Sequence, residues 1–82
     1  MKVYAVKDVL VGAFMQPVCM PNDEVALRSL KIAANDPNAF KENKKDIQLW
    51  YLYEFDEKTG IVSKNEPECL GNLIDFVENR GE

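Results

Sequence analysis

Side chains able to do chemistry are few and scattered in this chain. Glu54, Asp56 and Glu57 straddle the end of an apolar run and the polar stretch after it. Paired acids serve as general acid and base or hold a cation. Their spacing fits no calcium loop, and a hairpin tip is where solvated acids ordinarily sit. The sequence contains no histidine. Its absence removes the commonest general base and zinc ligand, and excludes Ser-His-Asp, Cys-His and histidine-based metal sites. Cys19 and Cys69 stand far apart with no CxxC, so neither a redox motif nor a four-sulfur metal site is expected. Cys19, between Val18 and Met20, reads as a small core hydrophobe. The glycines (Gly12, Gly60, Gly71, Gly81) are dispersed, which leaves no phosphate-cradling loop. The expectation is a protein that is not an enzyme, with no catalytic residue, metal or cofactor.

Aromatic residues supply the more unusual chemistry. In Ile47-Gln48-Leu49-Trp50-Tyr51-Leu52-Tyr53-Glu54-Phe55, strict alternation places Ile47, Leu49, Tyr51, Tyr53 and Phe55 on one face of a strand. Gln48, Trp50, Leu52 and Glu54 fall on the other. Both faces are substantially apolar, so one meets the core and the other has large rings to spare. Exposed rings on a sheet can stack nucleic-acid bases. They can equally bury against a second copy, since an uncovered apolar sheet face is an association surface. Sheet twist and a covering loop are the third outcome.

Charge bears on the first of these. The chain has 82 residues, 10 basic against 14 acidic, and a net charge of −4. An acidic protein feels no global pull toward a phosphate backbone. The charge is uneven, however. Between positions 28 and 45, Arg28, Lys31, Lys41, Lys44 and Lys45 outnumber Asp36 and Glu42 by three, which leaves −7 on the remainder. A local patch of that size gives modest, salt-sensitive binding.

These residues need elements to hold them. Lys2-Val3-Tyr4-Ala5-Val6 alternates as a strand, and positions 13–20 suit a second one, at an edge or broken at Pro17. Gly12, between them, is the point of backbone adjustment. Asn22 or Asp23 caps a helix whose apolar set is Val25, Ala26, Leu27, Leu30, Ile32, Ala33 and Ala34, and Asn35-Asp36-Pro37 stops it. A polar loop at 37–46 leads to the aromatic strand. Asp56 to Gly60 turns that strand into Ile61-Val62-Ser63, with Gly60 left-handed. Leu70, Leu73, Ile74 and Val77 recur at helical spacing, predicting a final helix from about Glu68 to Asn79. The predicted fold is α+β, ordered β-β-α-β-β-α. Two helices pack on one face of a mainly antiparallel four-stranded sheet, within a single domain spanning 1–82. No run approaches the roughly 20 apolar residues that cross a bilayer. The N-terminus does not resemble a signal peptide, so two free thiols in a reducing cytosol are expected.

Several short pieces, in order, carry a resemblance. They are Val6-Lys7-Asp8, Gly12-Ala13-Phe14-Met15-Gln16-Pro17 and Pro21. Ala26-Leu27-Arg28-Ser29-Leu30 and Asn35-Asp36-Pro37 follow, then Leu52-Tyr53-Glu54-Phe55-Asp56, Thr59-Gly60, Pro67 and Leu70-Gly71. With these the chain resembles the small nonstructural protein of gokushovirus-type microviruses, which are single-stranded-DNA bacteriophages. The resemblance implies a DNA-binding protein of the host cytoplasm that acts around viral genome replication and packaging. By analogy with related microviruses, such a protein diverts replication toward packaging of single-stranded genomes. It brings no catalytic residue, cofactor or established binding residue. On physical grounds the candidate nucleic-acid contacts are Phe14, Trp50, Tyr51 and Tyr53 for stacking, with Arg28, Lys31, Lys41, Lys44 and Lys45 along the phosphates. A homo-oligomer would repeat this weak site and raise its avidity. The alternatives are an interaction module that binds a replication or packaging protein without touching DNA, and a self-assembling structural protein.

Overall fold

A computed structural model of the chain describes residues 1–40, 43–63 and 66–78. Its central strand is β1 (Lys2–Asp8), which is antiparallel to partners on both edges. One edge carries β2 (Ala13–Phe14) and β3 (Val18–Met20); the other carries β4 (Ile47–Glu54). β5 (Glu68–Asn72) adds antiparallel to the outer side of β4. Flanked by strands on both edges, β1 buries three consecutive residues, Val3, Tyr4 and Ala5.

Pro17 lies between β2 and β3 and has no N–H for the ladder. The second strand is therefore split in two at the edge of the sheet, as its sequence predicts. Gly12 and Gly60 both take positive φ, 81° and 77°; left-handed backbone was expected at Gly60, and at Gly12 only a point of adjustment.

The helix α1 (Asp23–Ala34) begins where its sequence says it should. The Asn22 side chain accepts a hydrogen bond from the Val25 N–H at 2.9 Å. Asp23 and Glu24 occupy the first turn, where carboxylates complement the helix dipole. The helix lays Ala26, Leu30 and Ala34 against Tyr4, Ile47 and Leu49 of the sheet, and Leu73 completes this core. One hydrogen bond pins the helix start to the central strand: the Tyr4 hydroxyl donates to Asp23 Oδ1 at 2.5 Å, and Lys2 Nζ approaches the same oxygen at 3.3 Å.

The sequence-based topology needs two corrections. Ile61-Val62-Ser63 does turn back beside Glu54 to Asp56, with the Asp56 N–H to the Ile61 carbonyl and the Ser63 N–H to the Glu54 carbonyl both at 2.9 Å. It forms only the isolated bridge Phe55–Val62, however, and not a strand of the sheet. Nor is there a helix over 68–78. Residues 68–72 are β5, and Leu73–Phe76 form a single 3₁₀ turn, with Asn79 outside the described residues. The fold is thus α+β with one α-helix and a five-stranded antiparallel sheet, in place of two helices and four strands. The physical reason is non-local. β4 has a free edge, and backbone groups there gain more from a ladder than a short helix interrupted by Gly71 can offer. The 3₁₀ turn does pack on the same face as α1: Asn35 Nδ2 donates to the Phe76 carbonyl at 3.0 Å, so both helical elements lie on one side of the sheet.

Candidate nucleic-acid interface

The opposite side of the sheet carries no helix among the described residues. Directly opposed residues of antiparallel strands share a face. Register therefore lays three rows across this open side. Phe14, Lys7, Gln48 and Asn72 form the first, Ala5, Trp50 and Cys69 the second, and Cys19, Val3 and Tyr53 the third.

At the centre is a cluster of two rings and one cation. Phe14 meets Trp50 edge to face, with ring centroids 5.7 Å apart and planes at 88°. The Lys7 ammonium stands 5.2 Å from the Phe14 centroid and 5.0 Å from that of Trp50. Rings present a negative face to a cation, so Lys7 is held by the aromatics themselves. Among the described residues no carboxylate lies within ion-pairing distance of it. Side-chain amides fix the indole: Trp50 Nε1 donates to Gln48 Oε1 at 2.9 Å, and Gln48 Nε2 donates to Asn72 Oδ1 at 2.9 Å. With its N–H engaged, what Trp50 has left to offer is the π-face. Phe14 is 42% exposed, whereas Ala5, cross-strand partner of Trp50, is only 1% exposed. A small residue in the middle row leaves room for large rings on either side.

Tyr53 joins this side through an irregularity. Tyr4 pairs with Tyr51 but Val3 pairs with Tyr53, which makes Leu52 an extra, bulged residue. Strict alternation misses this and groups Tyr53 with Tyr51. Tyr51 in fact faces the helix side, with its ring 5.6 Å from that of Tyr4 and Lys2 Nζ 5.1 Å from its centroid.

The structure does not bring the predicted basic residues to these rings. Arg28 and Lys31 are exposed on α1, across the sheet from Trp50, and Lys31 pairs with Glu78 at 3.3 Å. Lys44 is turned inward. Its ammonium donates to the carbonyls of Ala39, Asp36 and Ala33 at 2.6, 3.0 and 3.4 Å, gathering the C-terminal end of the helix and the turn after it. Lys45 is exposed in the 3₁₀ turn that precedes β4, and Lys41 lies outside the described residues. Cys19 is exposed, not a core residue, and so is Cys69; both are free thiols.

Sequence reasoning missed Lys7. The signal was present, because Val3, Ala5 and Lys7 continue one alternation; the strand runs to Asp8 and carries that lysine onto the open side. Two of the hairpin acids have structural work: Asp56 Oδ1 accepts from the Lys58 N–H at 2.9 Å, and Glu57 pairs with the N-terminal ammonium at 3.7 Å.

A family model described as Phage ORF5 protein matches residues 1–76. The chain belongs to this family. It is therefore a bacteriophage protein, and the matched span includes every strand and α1 of this phage ORF5 fold. No curated protein and no solved structure shows significant similarity to it. No helix among the described residues is long and apolar enough to cross a membrane.

Proposed function

We propose that this phage protein binds single-stranded DNA on the open side of its sheet and acts by binding, not by catalysis. The carrying observation is the Lys7–Phe14–Trp50 cluster, in which a cation and two rings share the helix-free face of the sheet. Bases offer π-faces to such rings whatever their identity, and a neighbouring ammonium meets the phosphate between stacked nucleotides. Tyr53 extends the platform along β4. The resemblance to microvirus nonstructural proteins supports a place in the host cytoplasm during replication or packaging of the viral genome. With a net charge of −4, affinity per copy is modest and falls with salt, so function rests on many copies along one strand.

Titration with an oligothymidylate at low salt tests this reading. Binding quenches Trp50 fluorescence, and the quenching is reversed by added salt. A flat Trp50 signal, together with unchanged anisotropy of a labelled oligonucleotide, would falsify it.

A further inference from the structure

The helix side of the sheet has a feature of its own. Pro17 splits the edge strand, and opposite the break α1 presents three small side chains, Ala26, Ser29 and Ala33, beside the larger Leu30. Helix and edge therefore do not close on each other. Between them lies a pocket of about 250 Å³, flanked on the strand side by Met15, Val18 and Met20. No charged residue lines it. An apolar cavity of about 150 Å³ already takes a benzene-sized group, so this one has room for a leucine side chain and part of its neighbour.

The same chain carries an apolar projection. Val9, Leu10 and Val11 form the tip of the β1–β2 hairpin and are 43%, 78% and 73% exposed. The tip is a fixed shape. Asp8 Oδ1 accepts from the Leu10 and Val11 N–H groups at 3.0 and 3.3 Å, the Gly12 N–H closes onto the Asp8 carbonyl at 2.8 Å, and the Val9 N–H is tied to the Asp46 carbonyl at 2.9 Å. Three consecutive uncharged apolar residues held outward cost solvation that a disordered polar turn would avoid. Their exposure means that the tip does not fill the pocket of its own molecule.

We propose that the Val9-Leu10-Val11 tip of one copy seats in the pocket between α1 and the β2–β3 edge of the next. Knob and pocket are different surfaces, so the contact is head-to-tail and each copy offers one of each. A tip of three side chains buries far less than the roughly 1,000 Å² of a stable interface. The contact is weak between two copies in dilute solution and gains strength by repetition. This inference stands apart from the nucleic-acid reading, since neither surface includes Lys7, Phe14, Trp50 or Tyr53.

Sedimentation velocity of the whole chain, from micromolar to millimolar concentration and without nucleic acid, tests it. The wild-type weight-average sedimentation coefficient rises with concentration. Leu10→Asp spoils the knob and Ser29→Trp fills the pocket; both positions are exposed, and circular dichroism verifies folding. Each variant alone loses at least tenfold in association constant. Mixed in equal amounts, the two regain association but stop at a heterodimer, because each retains one working half. A wild type that stays monomeric throughout overturns the proposal. So does a variant that associates as the wild type does, or a mixture that remains monomeric, or an apolar small molecule retained in the pocket by native mass spectrometry.

Discussion

Single side chains here divide into those that hold the fold and those left for a partner. Tyr4 and Asp23 are of the first kind. Burial, then the hydrogen bond to Asp23, raises the Tyr4 hydroxyl above its ordinary value. The same bond, opposed by desolvation and aided by Lys2, lowers the Asp23 carboxyl. A lowered carboxyl contributes stability above the ordinary carboxylate range, about pH 4, and that contribution is lost as pH falls through the folded value. A raised phenol contributes fully below about pH 10 and is lost as pH rises beyond it. Urea unfolding across pH is thus expected to show a plateau with a decline at each end. Tyr4→Phe removes the alkaline decline, shrinks the acid one and costs about 2 kcal/mol at pH 7, as for a hydrogen bond to a charged acceptor. Phe14 and Lys7 are of the second kind. Phe14→Ala lowers single-stranded DNA affinity by about tenfold, in line with the loss of one stacking ring, while thermal stability changes little. Lys7→Ala weakens binding and flattens its salt dependence by roughly 0.7 in the slope of log K against log salt, the value of one phosphate contact. Anisotropy with a labelled oligonucleotide measures both.

Among the elements, α1 shows how far local chemistry reaches. Its start at Asn22 and its stop before Pro37 are visible in sequence because caps and prolines act on their immediate neighbours. Lys44 is different. Its role as a donor to three carbonyls depends on a turn that brings it back to the helix end, and composition alone makes it one of a basic cluster. Lys44→Met is expected to lower stability by about 2 kcal/mol, as for lost hydrogen bonds from a charged donor, and to leave DNA affinity within twofold. Chemical denaturation beside the binding assay separates the two roles; a large loss of affinity at unchanged stability would return Lys44 to the phosphates. The strands tell the same story. Pro17 announces its break, since a missing N–H is a property of one residue. Leu70, Leu73, Ile74 and Val77 mimic a helix because their spacing is local, whereas pairing with Gln48 to Tyr51 is decided by the free edge of β4. The bulge at Leu52, which turns Tyr53 to the open side, leaves no mark in composition. The rings of the candidate interface were therefore legible as residue types, but not which of them stand together.

At the scale of the whole molecule, the basic residues of the helix and the stacking rings lie on separate sides, and among the described residues Lys7 alone joins the rings. Arg28 and Lys31 occupy the helix layer while Phe14, Trp50 and Tyr53 occupy the bare side of the sheet. Arg28→Glu with Lys31→Glu is accordingly expected to leave single-stranded DNA affinity within about threefold at low salt, since the charges sit across the sheet from the stacked bases and are screened over a Debye length of about 10 Å. A loss as large as that of Lys7→Ala would place the strand on the helix layer instead. One further consequence belongs to the break at Pro17. Unlimited growth of a β-sheet from molecule to molecule requires two long open borders on every subunit, one to give and one to receive. Here one border is cut into pieces of two and three residues, Ala13–Phe14 and Val18–Met20, and a proline at the seam denies the incoming backbone a donor. Among the described residues, only the outer side of β5 offers a run of five. Border-to-border pairing through β5 would end at two molecules, so the break at Pro17 acts as a brake against fibril growth.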